Sequence, residues 1–561
     1  MTSLVLGPLL RHVDEGSATI WVETDGPTEV TVTAGDHRVT TRTFGVHGHH
    51  YALVEVGGLE PGTHTPYDVH LGDQQVWPEP GTVHPPSVIP TLRPGKPLRL
   101  AFGSCRVSVP HDRAGTDAFG VDALRSYALH MARDEGSEWP DLVLFLGDQV
   151  YADETSDEMR DFIASRRSLD EPPGEEIRDF EEYAHLYAIA WGEPANRWLL
   201  STLPSAMIFD DHDIRDDWNT SWTWRRQMEA TSWWHRRIVG GLASYWVYQH
   251  LGNLSRAERD RDALWQRVVT HDGPDELDLS GELDAFADRA DRQPDSYRWS
   301  FARDLGDRVR LVVVDSRAAR VLQPENRSIL DPTEMGWLDE RMQGGVEHLL
   351  VGTSLPFLLA PGLHHAEALS EGLCGGAWGR RGARLGERLR QVIDLEHWAA
   401  FQEGFRRVAE MTLEVAAGRR GSAPETITFL SGDVHHSYVS SAWPDPEVTD
   451  LRIHSRVVQA VCSPIRNPLP AGMQRVTTWG TRRWLGRAVR RLARAARVPA
   501  SPLAWRIDRG PWYDNNLAVL EVRPGEGLRL TWLAGDIEGR ATDEPVLRTV
   551  AEVDVPAPGR G

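Results

Sequence analysis

Over residues 1 to about 92, apolar and polar positions alternate. Ala18-Thr19-Ile20-Trp21-Val22-Glu23, Glu29-Val30-Thr31-Val32 and Tyr51-Ala52-Leu53-Val54-Glu55-Val56 repeat with period two, the mark of strands with one buried face. Gly, Asp and Pro turn signals separate these runs at short intervals, which predicts a small β-sandwich. Pro80, Pro85, Pro86, Pro90 and Pro94 then predict a stiff linker. Past residue 97 the pattern changes to continuous apolar, β-branched runs: Asp141 to Gly147, Arg308 to Asp315, His348 to Leu355, Thr426 to Leu430, Asn516 to Val522 and Leu528 to Leu533. Helix-like stretches such as Val121 to Asp134 and Gly386 to Met411 lie between some of them, so the expectation is an α/β fold with its sheet covered on both faces. Residues 154 to 197 are acidic and helical in pattern and read as an insertion; there is no internal repeat.

Four of the apolar runs end in polar residues of one chemical kind. Thr426 to Leu430 leads into Ser431-Gly432-Asp433-Val434-His435-His436, Leu98 to Phe102 into Gly-Ser-Cys105-Arg106, Leu142 to Leu146 into Gly147-Asp148-Gln149-Val150-Tyr151, and Ala206 to Phe209 into Asp210-Asp211-His212-Asp213. Each has a plain reading alone: Gly-Asp is a common turn, an Asp-rich start is a helix N-terminus, and a cysteine after a strand is a small buried hydrophobe. Together they describe one site, because ligands in α/β folds gather at the carboxyl ends of strands. Crowded carboxylates need a cation to offset their repulsion. A thiolate and a phenolate suit a redox-capable transition metal such as Fe(III), and a carboxylate-rich half suits Ca²⁺, Mg²⁺ or Mn²⁺. No Gly-rich phosphate loop and no Gly-x-Ser-x-Gly elbow competes with this reading.

The formal net charge of −21 repels polyanions and argues against general nucleic-acid binding. From Leu451 to Ile507 the sign reverses: there is no Asp or Glu, while Arg475, Arg482, Arg483, Arg487, Arg490, Arg491, Arg494 and Arg497 crowd one segment. Leu485, Val489, Leu492 and Ala496 fall on a stripe between arginines, which predicts an amphipathic cationic helix over this part of residues 475–497. The expectation is either a lid or surface helix docked by its apolar stripe on an acidic body, or a helix that draws the chain to anionic phospholipid or steers anionic substrate toward the site. Cys105, Cys374 and Cys462 suggest no disulfide framework. The N-terminal stretch has no basic region and is cut by Gly7-Pro8, and the apolar run Leu349 to Leu363 is broken by Pro356 and Pro361, so the expectation is a cytoplasmic protein without a membrane span. Trp218, Trp222, Trp224, Trp233, Trp234 and Trp246 read mostly as helical core, with Trp218 and Trp222 near enough to the third motif to line a pocket.

The ordered set Gly-Ser-Cys, Gly-Asp-x-x-Tyr, Asp-Asp-His-Asp and Ser-Gly-Asp-Val-His resembles the PhoD-like alkaline phosphatase and phosphodiesterase family of the metallophosphoesterase superfamily. Residues 59–69 are similar to the turn into a late strand of fibronectin-type or immunoglobulin-like modules, and many family members carry such a domain. The resemblance implies an immunoglobulin/fibronectin-like β-sandwich over residues 1–92 and a metallophosphoesterase-type α/β/β/α sandwich over 93–561. It places Cys105, Asp148, Tyr151, Asp433 and His435 as metal ligands, with Asp210, Asp211 and Asp217 near ligand positions, and His212 as the catalytic histidine. Arg106 is the expected partner of the transferred group; Asp213 and His436 are expected to support the ligands. Fe(III) and Ca²⁺ are the implied ions, Mg²⁺, Mn²⁺ and Zn²⁺ the alternatives. The implied activity is hydrolysis of small-molecule or lipid phosphoesters, diesters favoured. Phospholipase-D-like cleavage of lipid headgroups and a non-hydrolytic, metal-stabilised binding protein are the rival readings, and oligomeric state stays open.

Overall fold

In the computed structural model, which describes residues 2–134, 139–392, 395–539 and 541–559, the apolar runs of the second part form two sheets. One has the order Ser205–Ile208, Leu142–Leu146, Arg99–Gly103, Leu517–Arg523, Gly527–Asp536, Val546–Pro556; its first three strands are parallel and the others antiparallel. The other has the order Phe301–Leu305, Val309–Val314, His348–Thr353, Thr426–Ser431, Arg456–Val461, Ser437–Pro444, Leu503–Trp512, with its four middle strands from Val309–Val314 to Arg456–Val461 parallel.

Side-chain alternation explains why these strands read as unbroken apolar runs. Leu142, Leu144 and Leu146 join Phe102, Ile208, Leu311, Val313, Leu350, Leu430 and Ala460 in one cluster between the sheets. Val143 and Phe145 point the other way, into a cluster with Leu124, Tyr127, Trp198 and Leu199 of the covering helices. On the second sheet Val312, Val351, Ile427 and Phe429 turn outward to Leu338, Phe405 and Val408. Both faces of each central strand are therefore dry, and neither tolerates a polar position. A Leu-to-Ala change in such a layer costs about 2–5 kcal/mol.

The first ninety or so residues form two further sheets around Ile20, Val22, Val30, Val32, Val54 and Val69. One of them is completed from far along the chain, since Leu277–Asp278 pairs parallel to Phe44–Val46. The expected linker is a correction: Val88–Pro90 pairs with His64–Leu71, and Pro85 accepts a hydrogen bond from Trp198 Nε1 at 2.8 Å. It is a packed sheet edge, not a spacer. The helix expected over Gly386 to Met411 is two helices, Gly379–Val392 and Gln402–Ala416. Residues 393 and 394 lie outside the described residues, and the turn that follows carries Glu396 and His397 inward. Among the described residues no helix is long and apolar enough to cross a membrane.

Candidate active site

The four motifs meet where the carboxyl ends of three adjacent strands of one sheet face the end of Thr426–Ser431 in the other. Backbone contacts set the loops. The Cys105 and Arg106 amides donate to the Gly147 and Asp148 carbonyls, at 3.4 and 3.1 Å, and the Ala152 amide to the His212 carbonyl at 2.8 Å. Asp213 Oδ2 accepts the amides of both Asp148 and Asp210, at 2.9 and 2.8 Å, so one buried carboxylate locks the second motif to the third. Ser104 Oγ accepts the Asp433 amide at 3.0 Å and fastens the first to the fourth. The fit leaves no room at Gly432, where a Cβ would lie 2.0 Å from Ser104 Oγ, nor at Gly147, where φ is +98° and a Cβ would lie 2.4 Å from that of Asp210. Cys105, Asp148, Asp433 and His435 themselves have φ of 58°, 51°, 65° and 50°. Residues other than glycine rarely adopt this region, and those that do concentrate at functional sites.

These turns bring together the atoms a cation needs. Donor atoms of Cys105, Asp148 and His435 lie within 4.8 Å of one another, and so do those of Asp148, Asp210 and Asp211. Asp148 belongs to both groups. Its Oδ1 and the Oδ2 of Asp210 are buried without a hydrogen-bond partner, an expensive state for a carboxylate that a cation relieves. Burial and then the Cys105 charge raise the Asp148 carboxyl well above its usual range, and burial with the Asp433 charge pushes the Cys105 thiol up to about 12. Burial lowers His435 to about 4, which leaves its imidazole neutral, the form that ligates metals. Tyr151 is buried beside them, its hydroxyl accepting from Asn467 Nδ2 at 3.1 Å and its ring 4.7 Å from that of His212. This donor set could hold a cation on either side of Asp148, with a thiol and an imidazole on one side and carboxylates on the other.

A model of the PhoD-like phosphatase family matches residues 122–479, more than half of the sequence. The chain belongs to this family. As a PhoD-like phosphatase it is a phosphoesterase. Its fold is that of the solved structure of PhoD, with a TM-score of 0.60 at 15% identity over 99% of this chain and 91% of the other. A domain-of-unknown-function model, DUF7800, matches residues 1–89. A type III pullulan hydrolase from Thermococcus kodakarensis, 10% identical over 99% of both chains, has a TM-score of 0.15, too low to mark a shared fold. No match was found among curated proteins.

Several residues of this PhoD-like site escaped the sequence reading. Arg317, fully buried after Val309–Val314, pairs with Asp210, with Asp211 at 3.2 Å and with Glu396 at 2.7 Å. Donor atoms of Asp211, Glu396 and Asp433 form a third close group, but that group has a resident guanidinium. His397 donates to Asp433 Oδ2 at 3.0 Å and to Glu367 Oε1 at 2.7 Å, and so orients Asp433. The Asp217 amide donates to Asp211 Oδ2 at 3.0 Å, so Asp217 positions Asp211. His212 Nδ1 bonds Asp153 Oδ1 at 2.9 Å, and a fourth group joins His212 to Asp211 and Asp216. Burial opposes a charge on His212; the Asp153 charge and hydrogen bond outweigh it and lift its pKa well above 6.5.

Arg106 needs correction. Its guanidinium bonds Asp122 at 2.8 and 3.0 Å and the Ala190 carbonyl at 2.8 Å, so it anchors the first loop to a covering helix instead of facing the acidic cluster. His436, buried, bonds the Val434 carbonyl at 2.6 Å. Trp218 is a core residue against Phe209, and Trp222 is exposed.

Proposed function

We propose that this phosphatase hydrolyses phosphoesters with a pair of metal ions held between the two sheets, in a metallophosphoesterase-type arrangement. The observation that carries the reading is Asp148, whose carboxylate belongs to two donor groups at once and has a buried oxygen with no hydrogen-bond partner. Cys105, Tyr151, His435 and Asp148 would hold a redox-capable ion, Fe(III) by donor type; Asp148, Asp210, Asp211 and Asp433 would hold a hard ion, Ca²⁺, with Mg²⁺, Mn²⁺ or Zn²⁺ as alternatives. Bound there, such a pair supplies an acidified water and positive charge for the phosphoryl oxygens.

The chain's own residues do the rest. Asp153 holds Nδ1 of His212, so Nε2 is the atom that gives a proton to the leaving oxygen. The raised pKa keeps that proton in place at neutral pH. Asp213 keeps the Asp148 and Asp210 loops in register, and Arg317 holds Asp210 and Asp211 by hydrogen bonds and charge. Elemental analysis of the purified protein, beside assays on mono- and diesters, tests the proposal. Bound metal, hydrolysis lost on chelation and a visible absorption band shifted by Tyr151→Phe are expected. Full hydrolysis by colourless, metal-free protein would overturn it.

A further inference from the structure

Between Arg456–Val461 and Leu503–Trp512 the chain leaves the sheet and forms two helices, Ala471–Gly480 and Arg483–Ala495. One face of this pair is docked. Gly480 abuts Leu363, Gly486 abuts Pro361, Ala493 and Ala496 are buried, and Arg490 and Arg494 bond Asp445 and Glu447. The expected stripe is thus divided: Leu485 and Val489 are half-buried, Ala496 is buried and Leu492 faces solvent. The side chain of Arg483 lies outside the described residues.

A helix docked by one face ordinarily shows polar residues on the other. Here Met473, Val476 and Trp479 form a row along the first helix and Trp484 stands on the second, all more than half exposed, Val476 at 63%. Arg475, Arg482, Arg487 and Arg491 are exposed among them, and the Arg482 guanidinium lies 4.9 Å from the centre of the Trp479 ring. Leu451 to Ile507 holds no acid in a chain of net charge −21.

We propose that this two-helix face docks on an anionic phospholipid surface. Trp rings settle at headgroup depth, apolar side chains enter the acyl boundary, and arginine stems cover apolar surface while their guanidiniums reach lipid phosphates. A second copy of the chain in a two-fold contact would set arginine against arginine. The acidic remainder of the molecule is repelled by the same bilayer, so the approach has one orientation. That orientation concerns the site. Asn467, just before the first helix, bonds the Tyr151 hydroxyl; Tyr513 donates to the Gln474 carbonyl at 2.8 Å while its ring lies 6.0 Å from that of His436.

Co-sedimentation of the full chain with vesicles of phosphatidylglycerol and with vesicles of phosphatidylcholine tests the proposal. Pelleting with the anionic vesicles alone, weakened by salt, is expected. The double variant Arg487→Gln/Arg491→Gln should bind the anionic vesicles about fivefold more weakly for each arginine removed. Trp479→Ser/Trp484→Ser should weaken binding by about tenfold or more. Both should hydrolyse a water-soluble phosphoester at the parental rate, which reports an intact fold. Equal pelleting with both lipids, pelleting with neither, or anionic binding unmoved by either variant overturns the proposal. So does dimerisation through this face without pelleting, which would assign it to a second copy. Should a variant misfold, the parental comparison of the two lipids decides.

Discussion

Asp148 and His212 sit in the same few ångströms of the molecule yet should fail differently when changed. Asp148 offers its carboxylate to two donor groups, so Asp148→Asn removes both a charge and a bridge, and metal and hydrolysis should be lost together. His212 is held by Asp153 through Nδ1 and belongs to neither of the two donor groups that contain Asp148. His212→Ala should therefore keep the metal and lose turnover by about 10²-fold or more. Elemental analysis and single-turnover rates on the two variants check this; equal metal loss in both, or unchanged turnover without the imidazole, would show the roles to be assigned wrongly. The same scale explains why Arg317 went unread. Its signal was the one used for the other motifs, a charged residue closing a buried run, here Asp315-Ser316-Arg317 after Val309–Val314. Arg106 was misread for the converse reason. It carries the same signal, a charged residue closing a buried run, yet its guanidinium is taken by Asp122 at the cap of the covering helix, a pairing that only the fold brings about.

At the scale of elements, the sheet strands were legible because burial on both faces leaves unbroken apolar runs, and the motif loops because they terminate those runs. Glu396 and His397 were not, since a local helix pattern on either side hides the turn that aims them at Arg317 and Asp433. The helix Ala123–Arg133 shows how such elements hold a motif. Asp122 caps it, Oδ1 accepting the amides of Leu124 and Arg125 at 2.9 and 3.2 Å, while Oδ2 takes the Arg106 guanidinium. Burial alone would raise the Asp122 pKa; the Arg106 charge and hydrogen bond, with His111, bring it down from 3.8 to about 2. A depressed folded value means the carboxylate stabilises the fold fully above about pH 4 and ceases to do so as pH falls through about 2. The difference corresponds to about 2 kcal/mol. Asp122→Asn should accordingly lower Tm by a constant amount near neutrality, and the gap to the parent should narrow on acidification below about pH 4. A gap that stays constant or widens in acid would remove Asp122 as the charged anchor of the Cys105 loop.

At the scale of the whole molecule, the change of pattern near residue 92 suggests two units, but the side chains cross it. Arg11, fully buried, donates to the Gln249 carbonyl at 2.5 Å and to Asn253 Oδ1 at 3.2 Å, and touches Met207 Sδ at 3.1 Å. Tyr67 donates to the Ser201 carbonyl at 2.7 Å, and Leu9, Trp21 and Tyr51 share one apolar cluster with Met207, Tyr245 and Tyr248. Met207 lies on the strand that runs into Asp210-Asp211-His212-Asp213, so the N-terminal sheets prop the strand that carries the third motif. Removing residues 1–92 would strip partners from Gln249, Asn253 and Ser201 and expose the apolar cluster at once. The intact chain should therefore unfold in one cooperative transition, coincident by circular dichroism and tryptophan emission. The truncated chain should be less stable and lose kcat on a water-soluble phosphoester, because the third-motif loop loses its support although the site residues predicted here all lie beyond residue 92. Two resolved transitions, or a truncated chain that hydrolyses at the full rate, would mean that the third motif is held by the catalytic sheets alone.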